Sequence, residues 1–316
     1  MSEPKGPATP EEAARVLDLR ELPLYAGSEE PGGRSVARLT YTAKGSAPDV
    51  FAFHKKALVD RKWKELPGGY ESPDSTSGTF TRGSFTLSLS ASSLDAGGDK
   101  PEVMVSAVNH GNVNLQKLPM PPGAASLYNF PVTAAYVTAE PVEATAKAVS
   151  DLLIAEGWEP YGRAGDSRYF KQNGVKLSAT VMVAPAQGGK TVIQLGTEQL
   201  SAILPVPADA LRVQYSEPPT QLAVHFKGDL EQADAWYRER LAKLGWKPTT
   251  EKPVKQSFEY LVIYRNKPGA MLEITFREVE DFTRLLLEYT TPEEFAAMEK
   301  RWEEEEKKAA EKNQQK

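Results

Sequence analysis

Apolar residues alternate with polar ones in three stretches of the chain. They are Phe85, Leu87 and Leu89; Val175, Leu177, Ala179 and Val181; and Met271 or Leu272, Ile274 and Phe276. A period of two predicts strands with one buried face. Each stretch follows an aromatic residue, a cation and a glycine-bearing turn: Phe80-Thr81-Arg82-Gly83, Phe170-Lys171-Gln172-Asn173-Gly174 and Tyr264-Arg265-Asn266-Lys267-Pro268-Gly269. Asn-Gly between alternating runs is a strong hairpin signal. A further strand is expected at 103–108, 191–195 and 283–289, and an earlier one at 36–41, 134–138 and 221–226. Between the earlier strand and the hairpin the periodicity becomes helical, as in Val142, Val149, Leu152 and Leu153. Each stretch therefore reads β-α-β-β-β. A helix with one apolar stripe has to bury it, and a sheet face is the available partner. The expected fold is α+β: three tandem units, each a four-stranded antiparallel sheet with one helix on a face.

Landmarks outside the strands point to the same periodicity. Trp63, Trp158 and Trp246 recur at a spacing of roughly ninety residues. Each is preceded five residues earlier by a leucine, Leu58, Leu153 or Leu241. Gly157 and Gly245 stand directly before their tryptophans and suit a left-handed position after a helix. Lys62 occupies that place in the first stretch and is expected to hold the same geometry at some cost. Leu-Pro runs mark the boundaries: Leu22-Pro23-Leu24-Tyr25, Leu118-Pro119-Met120-Pro121 and Leu204-Pro205-Val206-Pro207. Proline at this density favours an extended connector. The expected units are 22–117, 118–203 and 204–290.

The ends differ from the units. Residues 1–21 contain Thr9-Pro10-Glu11-Glu12, and residues 291–316 open on Thr291-Pro292-Glu293-Glu294. Both are capping boxes with proline at the first helical position. The first predicts a short helix through Leu17, the second a charged helix running to Lys316. Phe295, Met298 and Trp302 form one narrow apolar stripe on that tail, which either docks on the third unit or contacts a partner.

Composition narrows the function classes. The 316 residues carry a formal net charge of -5, which argues against nucleic acid as a partner. No run approaches the about 18 apolar residues of a membrane span. Residues 1–10 are polar, without the apolar core of a signal peptide. A cytoplasmic setting is expected for the chain as it stands, and the cell envelope if a leader or anchor has been removed. The chain has no cysteine, which removes disulfides, thiolate metal sites and cysteine nucleophiles.

Catalytic and cofactor motifs are not found. His54, His110 and His225 fall at non-equivalent places, without the spacing of a zinc site. His54 and His225 read as surface or half-buried imidazoles, and His110 sits in the turn-like Asn109-His110-Gly111-Asn112. Residues 184–191, with Gly188-Gly189-Lys190-Thr191, resemble a phosphate-binding loop, but a strand rather than a helix follows, so a hairpin turn is expected. Glu278, Glu280 and Asp281 read as a solvated turn. The aromatic-cation pairs read as core rings alternating with exposed cations rather than a base-stacking platform.

The Leu-Pro-x-Pro connector, the helix ending in Gly-Trp and the Tyr/Phe-Lys/Arg hairpin resemble uncharacterised bacterial repeat proteins of planctomycete type, from about Thr9 to Tyr289. The resemblance implies no established activity. Repetition of packing residues without repeated polar chemistry suits a non-enzymatic binding or scaffold protein with a protein partner and no cofactor. The rival expectation is a small-molecule site or enzyme between units, with His110, Arg163, Asp166 and Arg168 as ligand candidates.

Overall fold

The computed structural model describes residues 4–28, 34–94 and 102–314. The first residues of the N-terminal segment and the end of the tail at Lys316 lie outside them. Among the described residues the fold is mixed α+β, with five α-helices and three antiparallel sheets. The chain divides into two compact units, Met1–Ile203 and Leu204–Lys316.

In the first unit, α1 (Pro10–Val16) opens on the expected capping box, with Thr9 accepting from the Glu12 amide and Glu12 from the Thr9 amide. The first sheet contains β1 (Arg38–Lys44), β2 (Lys64–Glu65), β3 (Tyr70–Glu71), β4 (Ser75–Arg82), β5 (Phe85–Ser93) and β6 (Glu102–Asn109). Its order is β1-β6-β5-β4-β2, with β3 also on β4. Helix α2 (Ala47–Asp60) packs on β4, β5 and β6. The second sheet contains β7 (Ala125–Asn129), β8 (Thr133–Thr138), β9 (Glu159–Ala164), β10 (Ser167–Gln172), β11 (Val175–Ala184) and β12 (Lys190–Gln199). It runs β7-β8-β12-β11-β10-β9, with α3 (Val142–Ala155) packed on β11.

The second unit holds β13 (Arg212–Ser216), β14 (Gln221–Phe226), α4 (Leu230–Lys243), β15 (Lys247–Pro248), β16 (Val254–Gln256), β17 (Glu259–Arg265), β18 (Met271–Val279), β19 (Phe282–Thr290) and α5 (Pro292–Gln314). The sheet order is β13-β14-β19-β18-β17-β15, with β16 also on β17. Tyr237 of α4 is buried and donates to the Pro205 carbonyl, which ties the Leu204-Pro205 connector to the helix.

The sheets are wider than the four strands expected. An edge strand follows each of α2, α3 and α4, and β7 and β13 precede the strand that leads into the helix. The turn after Ala184 is a hairpin, as expected: Ala184 pairs with Lys190 and the chain continues as β12.

The three helix ends are built alike. The amide of Trp63 donates to the Leu58 carbonyl, Trp158 to Leu153 and Trp246 to Leu241, each at 3.0 Å. The residue before each tryptophan is left-handed: Lys62 at φ 68°, Gly157 at 87° and Gly245 at 84°. Its amide bonds the carbonyl three residues back. This is the Schellman arrangement, in which an apolar contact joins the residue after the left-handed position to the one five before it. Leucine and tryptophan occupy those two places, and all six are buried.

Candidate functional site

The first and second sheets meet in a polar joint. Arg38 of β1 and Lys176 of β11 both pair with Glu198 of β12, at 2.9 Å and 2.7 Å. Burial alone would raise the Glu198 pKa, but the Lys176 and Arg38 charges and hydrogen bonds outweigh it and hold the carboxyl low. His110, just beyond β6, reaches the Thr197 carbonyl through Nδ1 at 2.7 Å and Ser88 Oγ through Nε2 at 2.9 Å. Burial lowers its pKa against the Thr197 bond and the Glu198 charge. A neutral ring with Nδ1–H donating to Thr197 and Nε2 accepting from Ser88 satisfies both contacts. Residues ahead of α1 thread the same joint. Asn112 accepts from the Ala8 amide and donates to the Gly6 carbonyl, while Asn173 donates to the Pro7 carbonyl. A Cβ on Gly174 would come within 2.8 Å of Ala8 O and 2.7 Å of Pro10 Cδ.

Arg163, Asp166 and Arg168 lie elsewhere, at the β9–β10 hairpin. Arg163 and Arg168 are cross-strand neighbours, and Asp166 sits in the turn between them. Arg168 reaches α3, donating to the Ala146 carbonyl at 3.1 Å and to Ser150 Oγ at 2.9 Å. The bonds of His110 go to β5 and β12, so the four candidates do not form one hydrogen-bonded cluster.

His54 differs from the surface or half-buried reading. It is fully buried, with Nε2 2.6 Å from Tyr41 Oη, because its position on α2 faces the sheet. Burial pushes its pKa down to about 4. Among the described residues no group of three histidine or carboxylate side chains is placed to hold a metal ion.

A cleft of 410 Å3 opens between α2 and the edge of the first sheet. Glu65 pairs with Phe80 and Tyr70 with Ser77, so residues 66–69 bulge out where β4 supplies only Gly78 and Thr79. Pro48, Phe51 and Lys55 line the helix side, Glu65 and Tyr70 the edge, and Thr76 lines it from β4. Lys55 Nζ and Glu65 Oε2 are 2.6 Å apart. Thr76 is 4% exposed, and its hydroxyl has no hydrogen-bond partner among the described residues.

The third sheet carries a charged row on the face opposite its buried core residues. Arg212 pairs with His225, His225 with Arg284 and Arg284 with Arg277, across β13, β14, β19 and β18. Directly opposed residues share a face. Arg212, Arg284 and Arg277 are exposed, and among the described residues none forms an ion pair. His225 stacks on Phe282 at 4.5 Å, and Arg277 lies 5.5 Å from the Phe258 ring. Burial, then Arg212 and Arg284, lower the His225 pKa. Four residues along the same strands, Glu288 and Glu273 are paired, so the face has a basic and an acidic end.

On α5 the three stripe residues have different surroundings. Phe295 is buried under the Arg265 guanidinium at 3.5 Å, Met298 is half-buried, and Trp302 is 50% exposed with its ring 6.4 Å from Phe295. The helix docks by its first turn. No helix among the described residues is long and apolar enough to cross a membrane. Comparison with protein-family models, curated proteins and solved structures found no match.

Proposed function

We propose that the chain is a non-enzymatic binding protein of three diverged α+β copies that holds an acidic segment of a partner protein on the open face of its third sheet. The observation that carries this reading is the Arg212–His225–Arg284–Arg277 row. Neighbouring strands lie about 4.8 Å apart, so the three guanidiniums are spread along one line across the sheet and can meet several carboxylates of one acidic segment. Three unpaired guanidiniums on one exposed row repel one another, and an anionic partner relieves that repulsion while gaining bidentate hydrogen bonds. Phe282 and Phe258 beside the row supply apolar contact, a combination of arginine and aromatic groups common at interface centres.

The three Leu-to-Trp helix ends and the shared order of strands around each helix support a common origin for the copies. The rival reading, a site between units built on His110, has less support, because both ring nitrogens of His110 are engaged within the joint.

An in-cell crosslinking pull-down tests the proposal with the full chain, the Arg284→Glu variant and a chain ending at Thr290. A partner with an acidic segment, released by rising salt and lost with Arg284→Glu, supports it. A partner insensitive to both overturns it, and loss only on truncation moves the contact to Trp302 and α5.

A further inference from the structure

We propose that the cleft between α2 and the interrupted edge of the first sheet binds a free α-amino acid with an apolar or aromatic side chain. The site lies in the other compact unit from the arginine row and stands independently of the partner reading.

The charges decide the ligand class. Lys55 and Glu65 present an ammonium and a carboxylate 2.6 Å apart across the cleft. A simple anion gains from Lys55 and is repelled by Glu65, and a simple cation meets the reverse. A ligand with both charges on one carbon can pair with both groups at once, exchanging one ion pair for two. Both side chains are partly solvent-accessible, so the existing pair holds little net energy and separates readily. The Thr76 hydroxyl, buried and without a partner among the described residues, is an unused polar group in the cleft lining.

Apolar lining sets the side chain. Phe51 and Pro48 come from successive turns of α2, and the Tyr70 ring on the facing edge is 60% exposed. A Cβ on Gly78 would lie 3.0 Å from Phe51 Cζ and 3.1 Å from Glu65 Oε1, so glycine makes room for both groups above β4. The volume of 410 Å3 falls at the small end of the roughly 300–1,000 Å3 typical of small-molecule sites.

The corresponding edges of the other sheets are occupied. In the second, Tyr161 of β9 is buried and Arg168 ties the edge hairpin to α3. In the third, Arg238 of α4 pairs with Asp234 and donates to the Thr250 carbonyl. In the first sheet the Lys55–Glu65 pair bridges helix and edge, and the space beside it is open.

Titration calorimetry on the full chain tests the assignment with L-phenylalanine, phenylacetate (no ammonium) and phenethylamine (no carboxylate). The expected result is saturable binding of L-phenylalanine, with each analogue weaker by about ten-fold or more. Lys55→Ala and Glu65→Gln should each weaken it similarly while leaving the melting curve in place, and combining Lys55→Glu with Glu65→Lys should restore it. No saturable heat with either L-phenylalanine or L-leucine overturns the proposal. Equal binding of the analogues, or binding unchanged by Lys55→Ala, overturns it as well.

Discussion

The phenolic oxygen of Tyr41 lies 2.6 Å from His54 Nε2 in the core between α2 and the first sheet. The same oxygen accepts from the Tyr25 amide at 3.1 Å. The pKa of about 4 at His54 belongs to a buried ring that folding keeps neutral.

The sign of the pH dependence follows. Below the ordinary value of 6.5 the unfolded chain binds a proton at His54 that the folded chain refuses, down to about 4. Stability is complete above pH 6.5 and declines as pH falls toward 4, by about 3 kcal/mol from this residue. His110 and His225 are lowered too and add to the same window. Urea unfolding across it should give a smaller slope for His54→Leu than for the native chain.

The helix ends give a paired prediction. A left-handed lysine costs about 1–2 kcal/mol, of which the greater unfolded-state freedom of glycine cancels part. Lys62→Gly should stabilise by about 0.5–1 kcal/mol, and Gly157→Lys should destabilise. Trp158→Ala, which empties the apolar contact with Leu153, should cost about 3–5 kcal/mol. Thermal melts read all three, and an unchanged melt for Trp158→Ala would contradict its burial.

Gly174 tests the joint. A methyl group there meets Ala8 O, Pro10 Cδ and Gln199 Nε2 within 2.8 Å, and two of these belong to the segment that threads the joint. Gly174→Ala should destabilise by about 1–3 kcal/mol. The loss should show as faster hydrogen exchange at the Ala8 amide, with exchange in the third sheet unchanged.

Elements whose sequence carries a strong local constraint were legible. The Leu-to-Trp spacing is the Schellman contact itself, and the Asn173-Gly174 turn fixes the β10–β11 register. β7 was not legible because it lies at an edge with nearly every side chain exposed, so no alternation marks it. β13 buries only Val213 fully and gives the same weak signal. The burial of His54 was missed because an imidazole at a helical core position looks like a polar interruption until the Tyr41 hydroxyl appears opposite it. The arginine row depends on register: 212, 225, 284 and 277 become neighbours only when four strands align, although Arg277 and Arg284 flank one hairpin. The cleft rests on a bulge whose Pro67-Gly68-Gly69 is visible in the chain, but nothing local says that β4 passes beneath it.

The broken outer strands have a consequence for coexistence with other copies of the chain. Each sheet has a rim whose unpaired amides and carbonyls could template a stray strand. Residues 66–69 interrupt one rim, and another splits into β15 and β16, with Pro67 and Pro248 at the breaks. The second sheet sets Pro160 and a register shift in β9. Proline has no amide to donate, and a bulge turns its neighbours out of line, so an incoming strand finds no continuous ladder. The same irregularity that opens the cleft therefore guards a strand-rich chain against edge-to-edge aggregation.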